Sequence, residues 1–490
     1  MPRVHELPLG LDASSDQPLF LQIARALTDD IRRGRLLPGA PLPGSRTLAH
    51  TLGVHRNTVL AAFRELEAEG WVVTQPTTGT FVSTALPETA PRAFGPSMRS
   101  EMPALGFELG RAVEPDDLPP PLPKGVLSLA GGQPDVRCLP AAALARAYRR
   151  ALRTHGQSLL NYGDARGHVT LRVALASMLS TTRGLAAGAD NVLVSRGSQM
   201  ALHLVAEALV RPGDVIAVEA LGYRPAWQAF RQAGATLHAL PVDAHGVQVD
   251  ALARLCQERP VRAVYVTPHH QYPTTVGLSA ARRLQLLALA RAERIAIIED
   301  DYDNEFHYEG RPTLPLASAD TAGVVVYVGT LSKVLAPGLR LGFVVAPTAL
   351  VDRLADLRRS IDRQGDQAVE CAVAELIDDG ELGRHTRRMK RIYGARRDLL
   401  AELLEQKLGQ VVSFAFPAGG MALWVRVDPR PNPKLNVEQW ATRALAHGVA
   451  FVPARRFGFD GRTRPFARLG FASSTESELR EAVRRMAAAC

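Results

Sequence analysis

At 490 residues the chain is too long for one ordinary hydrophobic core, so two or three domains are expected. With 46% hydrophobic and 22% charged residues, and no apolar run longer than a buried strand such as Val324–Val328, the composition excludes a fibrous, disordered or helical membrane protein. The four cysteines (Cys138, Cys256, Cys371, Cys490) form no C-x-x-C pair, which fits reduced thiols in a cytoplasm rather than a disulfide framework or a zinc site, and no metal is expected.

The start, Met1-Pro2-Arg3-Val4-His5-Glu6, lacks the apolar core of a signal peptide. Leu21, Ala24, Leu27 and Ile31 then recur at helical spacing as one apolar stripe. Arg46–Leu52 reads as a short helix ended by Gly53, which can supply a positive φ. A second helix follows over His55–Leu66, with Val59, Phe63 and Leu66 facing inward. Arg56, Asn57 and Thr58 lie at its exposed N-terminal end, where a recognition helix meets base edges. Gly70 closes that helix, and Trp71–Val73 with Gly79–Val82 make two short strands around a turn. The net charge of +9 does not locate this segment, because residues 17–84 hold seven Arg against five acids and most of the excess lies beyond residue 125.

Residues 85–125 carry few periodic apolar positions and end in Pro115, Pro119, Pro120, Pro121 and Pro123, so a semi-extended tether is expected. From Leu127 onward, strand-like runs alternate with helical stretches: Val192–Ser195, Val215–Glu219, Ala263–Thr267, Ile295–Asp300, Val324–Gly329 and Leu341–Val345. That alternation predicts an α/β domain built on a mostly parallel sheet.

Three strand ends carry chemistry. Gly329-Thr330-Leu331-Ser332-Lys333, with Arg340 shortly after, places an amine beside hydroxyls and a cation, a setting for a carbonyl cofactor held as a Schiff base. A lone lysine of this kind is usually a solvated surface group, so its neighbours decide. Ile297–Tyr302 ends a buried strand in acid and phenol, and a carboxylate there can pair with a protonated pyridine nitrogen. Ser195-Arg196-Gly197-Ser198-Gln199 runs from strand into helix, whose backbone N–H groups offer an anion site.

Residues 17–84 resemble the GntR family of winged-helix regulators. The resemblance rests on Pro18-Leu19-Phe20, Gly34-x-Leu36-x-Pro38-Gly39, Leu42-Pro43-Gly44-Ser45-Arg46-x-Leu48-Ala49, Arg56-Asn57-Thr58-Val59 and Gly79-Thr80-Phe81-Val82. It implies double-stranded DNA as partner, read by Arg46, His55, Arg56, Asn57, Thr58 and Gly79. Residues 127–490 resemble fold-type I aminotransferases, and more closely the aminotransferase-like domain of the MocR subfamily of GntR regulators.

That second resemblance implies a multidomain chain. A winged helix-turn-helix (α+β, 17–84) is joined by a linker (85–125) to an α/β fold-type I domain over 126–490. The latter divides into a large subdomain (about 160–380) and a small one (an N-terminal segment plus about 381–490). The implied cofactor is pyridoxal 5'-phosphate, with Lys333 as the internal aldimine, Asp300 at the pyridine nitrogen and Tyr302 at the ring hydroxyl oxygen. Gly197, Ser198, Thr330 and Arg340 would hold the phosphate, and Tyr223 would lie at the ring face. Tyr162 matches a residue that reaches the neighbouring subunit's cofactor, implying a homodimer. Arg468 matches the arginine that takes a substrate or effector carboxylate.

This chain departs from the aminotransferase pattern at His270-Gln271-Tyr272-Pro273-Thr274-Thr275, which replaces an Asn-Pro-Thr-Gly turn. His270 or Gln271 stands as the candidate substitute for the missing Asn, and Thr275 strains any turn that needs a positive φ there. Arg224, beside Tyr223, reads as a surface arginine before an effector ligand. Three functions follow: a regulator whose cofactor domain senses pyridoxal phosphate or an amine or amino-acid effector, a working aminotransferase with an accessory DNA-binding module, or a store of the cofactor. The winged helix favours the regulator, since a metabolic transaminase has no need of a recognition helix.

Overall fold

Helix α1 (Leu19–Arg32) buries Ile23, Ala24, Leu27 and Ile31, so Ile23 rather than the half-buried Leu21 opens the predicted stripe. Helix α2 (Ser45–Leu52) ends on Gly53 at φ 63°, the left-handed cap that its sequence requires. Helix α3 (Arg56–Ala68) packs on both through Val59, Ala62, Phe63 and Leu66. Strands β1 (Val72–Gln75) and β2 (Gly79–Val82) pair antiparallel as the wing, starting one residue later than the predicted Trp71. Trp71 is instead buried in the three-helix core.

The computed structural model describes residues 10, 11, 15, 17–87, 105–108, 122–428, 430 and 436–490. Most of the Pro-rich tether expected over 85–125 lies outside them. Residues 1–113 and 114–490 form two separate units.

The second unit begins with β3 (Leu127–Ser128), followed by α4 (Ala141–Leu159) and α5 (Val169–Arg183). The large sheet then accumulates through β4 (Val192–Ser195), α6 (Ser198–Leu209), β5 (Val215–Glu219), α7 (Arg224–Gln232) and β6 (Thr236–Leu240). A small hairpin, β7 (Val242–Asp243) and β8 (Gly246–Val247), precedes α8 (Val249–Glu258), β9 (Val261–Val266), α9 (Ala280–Glu293), β10 (Ala296–Asp301), β11 (Val325–Thr330) and β12 (Gly342–Val345). Strand order is β4-β12-β11-β10-β9-β5-β6, parallel throughout except for β12, which runs antiparallel to both neighbours.

Both faces of this sheet are covered, which explains why its strands read as near-continuous apolar runs. Leu193, Ile216, Ile298, Val328 and Val344 pack with residues of α6, α7 and α10 (Thr348–Ile361). Ala217, Val264, Ile297 and Val325 point the other way, onto α8 and α9. Beyond α11 (Gln367–Asp378) and the long α12 (Glu381–Leu408), a second sheet forms from β13 (Val412–Phe414), β14 (Ala422–Val427), β16 (Val452–Pro453) and β17 (Phe466–Gly470). Helices α13 (Val437–Ala446) and α14 (Glu476–Ala488) pack with it. Strand β15 (Val449–Ala450) pairs in parallel with β3, so the segment after the tether is stitched to the C-terminal part. No helix among the described residues is long and apolar enough to cross a membrane.

Candidate cofactor pocket and DNA interface

The carboxyl ends of β4, β5, β9, β10 and β11 meet at one edge of the large sheet, where parallel α/β folds bind ligands. Strand β12 enters with Gly342 opposite both Thr330 and Ser195, and this brings Arg340 to the same edge. Gly342 has no room for a side chain: a Cβ there would lie 2.5 Å from the Gly197 carbonyl carbon and 2.7 Å from Ser198 N. That close crossing sets Arg340 against the N-terminus of α6, where Gly197 takes φ 81°.

A cavity of about 250 Å³ opens at this edge, lined among others by Ser198, Tyr223, Asp300, Tyr302, Thr330, Lys333 and Arg340. Seven of the nine predicted cofactor residues are therefore brought together. Gly197 borders it through the Arg340 contact, its place for a Cβ lying 3.0 Å from Nη2. Tyr162 is elsewhere: it is 73% exposed, with the Arg363 guanidinium 4.3 Å from its ring centroid.

The lining is polarised. Asp300 Oδ2 accepts from Tyr265 Oη at 2.7 Å, while its Oδ1 is buried without a partner. Burial lifts the Asp300 carboxyl to about 6, against the pull of Tyr265 and Lys333. Lys333 Nζ donates to Gly132 O at 2.6 Å, and burial together with Arg468 lowers it to about 8. At the opposite end, Arg340, the α6 N-terminus and the Thr330 and Ser332 backbone turn form a cationic, N–H-rich corner.

Arg468, on β17, is 1% exposed and none of its three guanidinium nitrogens has a hydrogen-bond partner of good geometry. Its guanidinium carbon lies 4.8 Å from the Tyr272 ring centroid, and its charge also opposes the burial-driven rise of the Tyr302 phenol. A buried cation left without a well-made hydrogen bond is costly, and an anion placed beside it would relieve that cost.

The turn after β9 differs from expectation. His270 Nδ1 meets Asp303 at 2.8 Å, and Gln271 Nε2 donates to the carbonyls of Leu221 and Tyr272, so neither side chain lines the cavity. Their neighbours Thr267 and Tyr272 do, and Tyr302 Oη donates to the His270 carbonyl. Thr275 takes φ 64°, the left-handed strain expected where glycine is replaced. Arg224 opens α7 without lining the cavity.

Sequence reasoning also missed Tyr265 and Gly131–Gln133. Tyr265 pairs in register with Ile298, and only the sheet brings its hydroxyl two residues along to Asp300. The adjacent Gly131 and Gly132 were a legible sign of close backbone approach: a Cβ on Gly131 would lie 2.6 Å from Arg468 Nη1.

Beneath the cavity floor, Glu219 accepts from Thr267 N and Oγ1 and is raised by burial to about 7. A carboxyl raised in the fold favours the folded state while protonated, and that contribution is lost as pH climbs through 7. Glu219→Gln, which mimics the neutral acid, is therefore expected to gain Tm over the parent progressively between about pH 4.5 and 7. Paired thermal melts across that range measure it; a gap that stays constant would refute the buried, proton-holding Glu219.

In the first unit, Arg46, Arg56, Asn57 and Gly79 are exposed and Thr58 is half-buried. Arg56 Nε donates to Ser45 Oγ at 3.2 Å, tying the starts of α2 and α3 together. His55 proves to be the N-cap of α3: its Nδ1 accepts from Asn57 N at 3.2 Å, so one ring nitrogen is already in use.

Residues 19–82 match the family of bacterial regulatory proteins of gntR type, and residues 124–486 match aminotransferase class I and II. The probable rhizopine catabolism regulatory protein MocR of Rhizobium meliloti is 31% identical over 98% of this chain and 95% of its own length. The pyridoxine biosynthesis transcriptional regulator PdxR of Corynebacterium glutamicum is 30% identical over 81% of this chain and 82% of its own. Among solved structures, the multiple substrate aminotransferase of Thermococcus profundus superposes with TM-score 0.69 at 33% identity, covering 75% of this chain and 91% of that one. The α-aminoadipate aminotransferase LysN of Thermus thermophilus, solved with N-(5'-phosphopyridoxyl)-L-leucine, gives 0.69 at 30% identity over 75% and 92%.

The fold is thus one that works with pyridoxal phosphate, and the pocket fits that group: an amine, an unpartnered buried carboxylate oxygen and a cationic helix terminus stand around one cavity. A GntR winged helix and an aminotransferase class I and II domain in one polypeptide, with a MocR relative matched end to end, place this chain in the MocR-type regulators of the GntR family.

Proposed function

We propose that this protein is a DNA-binding transcriptional regulator whose second unit senses pyridoxal phosphate, or an amine or amino acid that reacts with it. The observation that carries the reading is Arg468, a buried cation beside Tyr302 that makes no hydrogen bond of good geometry and whose charge reaches Lys333, in a chain that also bears a complete winged helix. Pyridoxal phosphate bound here supplies an aldehyde open to reversible reaction with amines and a ring that withdraws electrons.

The chain's own groups divide the remaining work. Lys333, lowered by burial to about 8, is uncharged in a far larger fraction at neutral pH than an ordinary lysine. Asp300 presents its unpartnered Oδ1 to hold a proton at the ring nitrogen. Tyr302 and Tyr223 position the ring, and Gly197, Ser198, Thr330 and Arg340 with the α6 N-terminus hold the phosphate. Arg468 takes the carboxylate of an amino-acid effector in a bidentate pair. Tyr162, exposed in its own chain, reaches the pocket of a second copy in a homodimer.

Arg46, His55, Arg56, Asn57, Thr58 and Gly79 contact double-stranded DNA, in the cytoplasm. Residues 17–84 are the reader, 85–125 the tether and 126–490 the sensor, with its large (about 160–380) and small subdomains. Any effector shifts DNA binding only through unequal affinity for two states of the protein.

The test is a titration of the protein against its own upstream intergenic DNA, with and without pyridoxal phosphate, followed by a panel of amino acids. Sequence-specific binding whose affinity moves with an amino acid, and ceases to move in Arg468→Gln, is the expected result. The completeness of the Lys333, Asp300 and Arg468 set also favours a second reading, an active aminotransferase with an accessory DNA-binding module. Sustained turnover of an amino donor without specific DNA binding would establish that reading instead.

A further inference from the structure

Strand β9 runs on into His269 and His270, and the loop after β10 places His307 beside them. The His269 ring centroid lies 4.4 Å from that of His270 and 6.0 Å from that of His307; the latter two rings are 6.1 Å apart and nearly parallel. One nitrogen from each ring lies within 4.8 Å of the other two.

His269 and His270 are buried, yet neither nitrogen of His269, nor Nδ1 of His307, has a hydrogen-bond partner. A neutral imidazole ordinarily donates through one nitrogen and accepts through the other, so a buried ring with both idle calls for a ligand. His270 is arranged differently. Its Nδ1 meets Asp303 Oδ1 at 2.8 Å, the carboxylate contact that fixes a tautomer and leaves Nε2 as the lone-pair donor.

The cluster faces a second cavity of about 720 Å³, walled by Thr274, Thr275, Gly277, Ser413, Phe416 and Trp424. An ion held by three imidazoles would therefore keep a position for water or another ligand. The nearby cation Arg283 is occupied, donating to the carbonyls of Leu278, Leu314 and Pro268.

We propose that His269, His270 and His307 bind a divalent transition-metal ion of the zinc class, with Asp303 orienting His270. The absence of a cysteine zinc pattern, which led to no metal being expected, does not bear on a site assembled from imidazoles. The site touches the cofactor pocket through one turn: the His270 carbonyl accepts from Tyr302, and Tyr272 lines that pocket two residues later.

The experiment uses full-length, tag-free protein dialysed free of unbound pyridoxal phosphate, which itself chelates metals. It is titrated with Zn²⁺ and, separately, with Co²⁺, whose visible d–d bands report tetrahedral nitrogen ligation. One ion per chain is expected. His307→Ala and His269→Gln should each weaken binding more than about a hundredfold, and Asp303→Asn by roughly ten- to a hundredfold. His447→Ala, at an exposed helix end, should leave it unchanged. Thermal melts and cofactor absorbance check each variant's fold; if His269→Gln misfolds, the half-buried His307→Ala carries the comparison. Failure of the parent protein to take up one ion, or a cobalt spectrum that survives loss of His307, would overturn the proposal.

Discussion

Lys333→Ala is expected to fold normally and to retain no covalently held cofactor, losing the visible absorbance of the protein-linked group entirely. The size of the effect follows from the pocket. Lys333 is lowered by burial and by the charge of Arg468 to about 8. At pH 7.5 its neutral fraction is then roughly two hundredfold above that of a lysine titrating at its ordinary value. Among the described residues no other lysine lines the cavity, so none of them offers a substitute amine. Lys333→Arg keeps the positive charge beside Asp300 but cannot react with an aldehyde, and should fail equally. Covalent capture by the parent protein should slow as pH falls below 8, because protonation removes the lone pair. Absorbance scans and gel filtration after mixing with pyridoxal phosphate measure all three. A band that persists in Lys333→Ala would mean that the cofactor is held elsewhere.

Replacing Arg46 and Arg56 together by alanine should abolish specific operator binding while leaving cofactor absorbance intact. Both side chains are exposed at the starts of α2 and α3, and neither belongs to the winged-helix core. An arginine pairing bidentately with guanine contributes about 1–3 kcal/mol of discrimination, so losing two costs about 2–6 kcal/mol, roughly thirtyfold to twenty thousandfold in affinity. If the contacts are instead to phosphates, binding should weaken evenly across sequences and the salt slope should fall by about one per arginine. Titrations at several salt concentrations separate the two modes. Unchanged affinity and slope would remove α2 and α3 from the DNA surface. His55→Ala is the less informative variant, because His55 caps α3 through Asn57 N and its loss would loosen the helix as well.

The predictions from sequence succeeded where a side chain's task is set by its own neighbours in the chain. Strands β2, β4 and β5 at both ends, and the end of β12, fell where apolar runs meet Gly, Pro or polar residues or their close neighbours. Other strand ends moved by one or two residues, because the ladder with the adjacent strand, rather than composition, decides the last pair. Lys333, Asp300, Tyr302 and Ser198 were legible because each sits at a strand end, where an α/β sheet must open.

What the linear order could not disclose depends on elements far apart in the chain. His270 and Gln271 were assigned toward the cofactor by position in a motif, but Asp303 and the Leu221 carbonyl, brought in by other strands, claim their hydrogen bonds. The Tyr265–Asp300 bond joins neighbouring strands, and the approach of Arg468 to Gly131 joins β17 to the segment after β3. The three-histidine cluster is of the same kind, with two members in the turn after β9 and the third after β10. By itself, then, the sequence determined two modules, a winged helix and an aminotransferase-type domain, and the strand-end residues that line one cavity of the latter. These follow from local periodicity and from turns that only certain residues can make. The tertiary structure alone decided which polar groups are satisfied and which are left facing a cavity. Hydrogen-bond partners are chosen by distance in space, and a buried donor or acceptor takes whatever the packed elements place beside it.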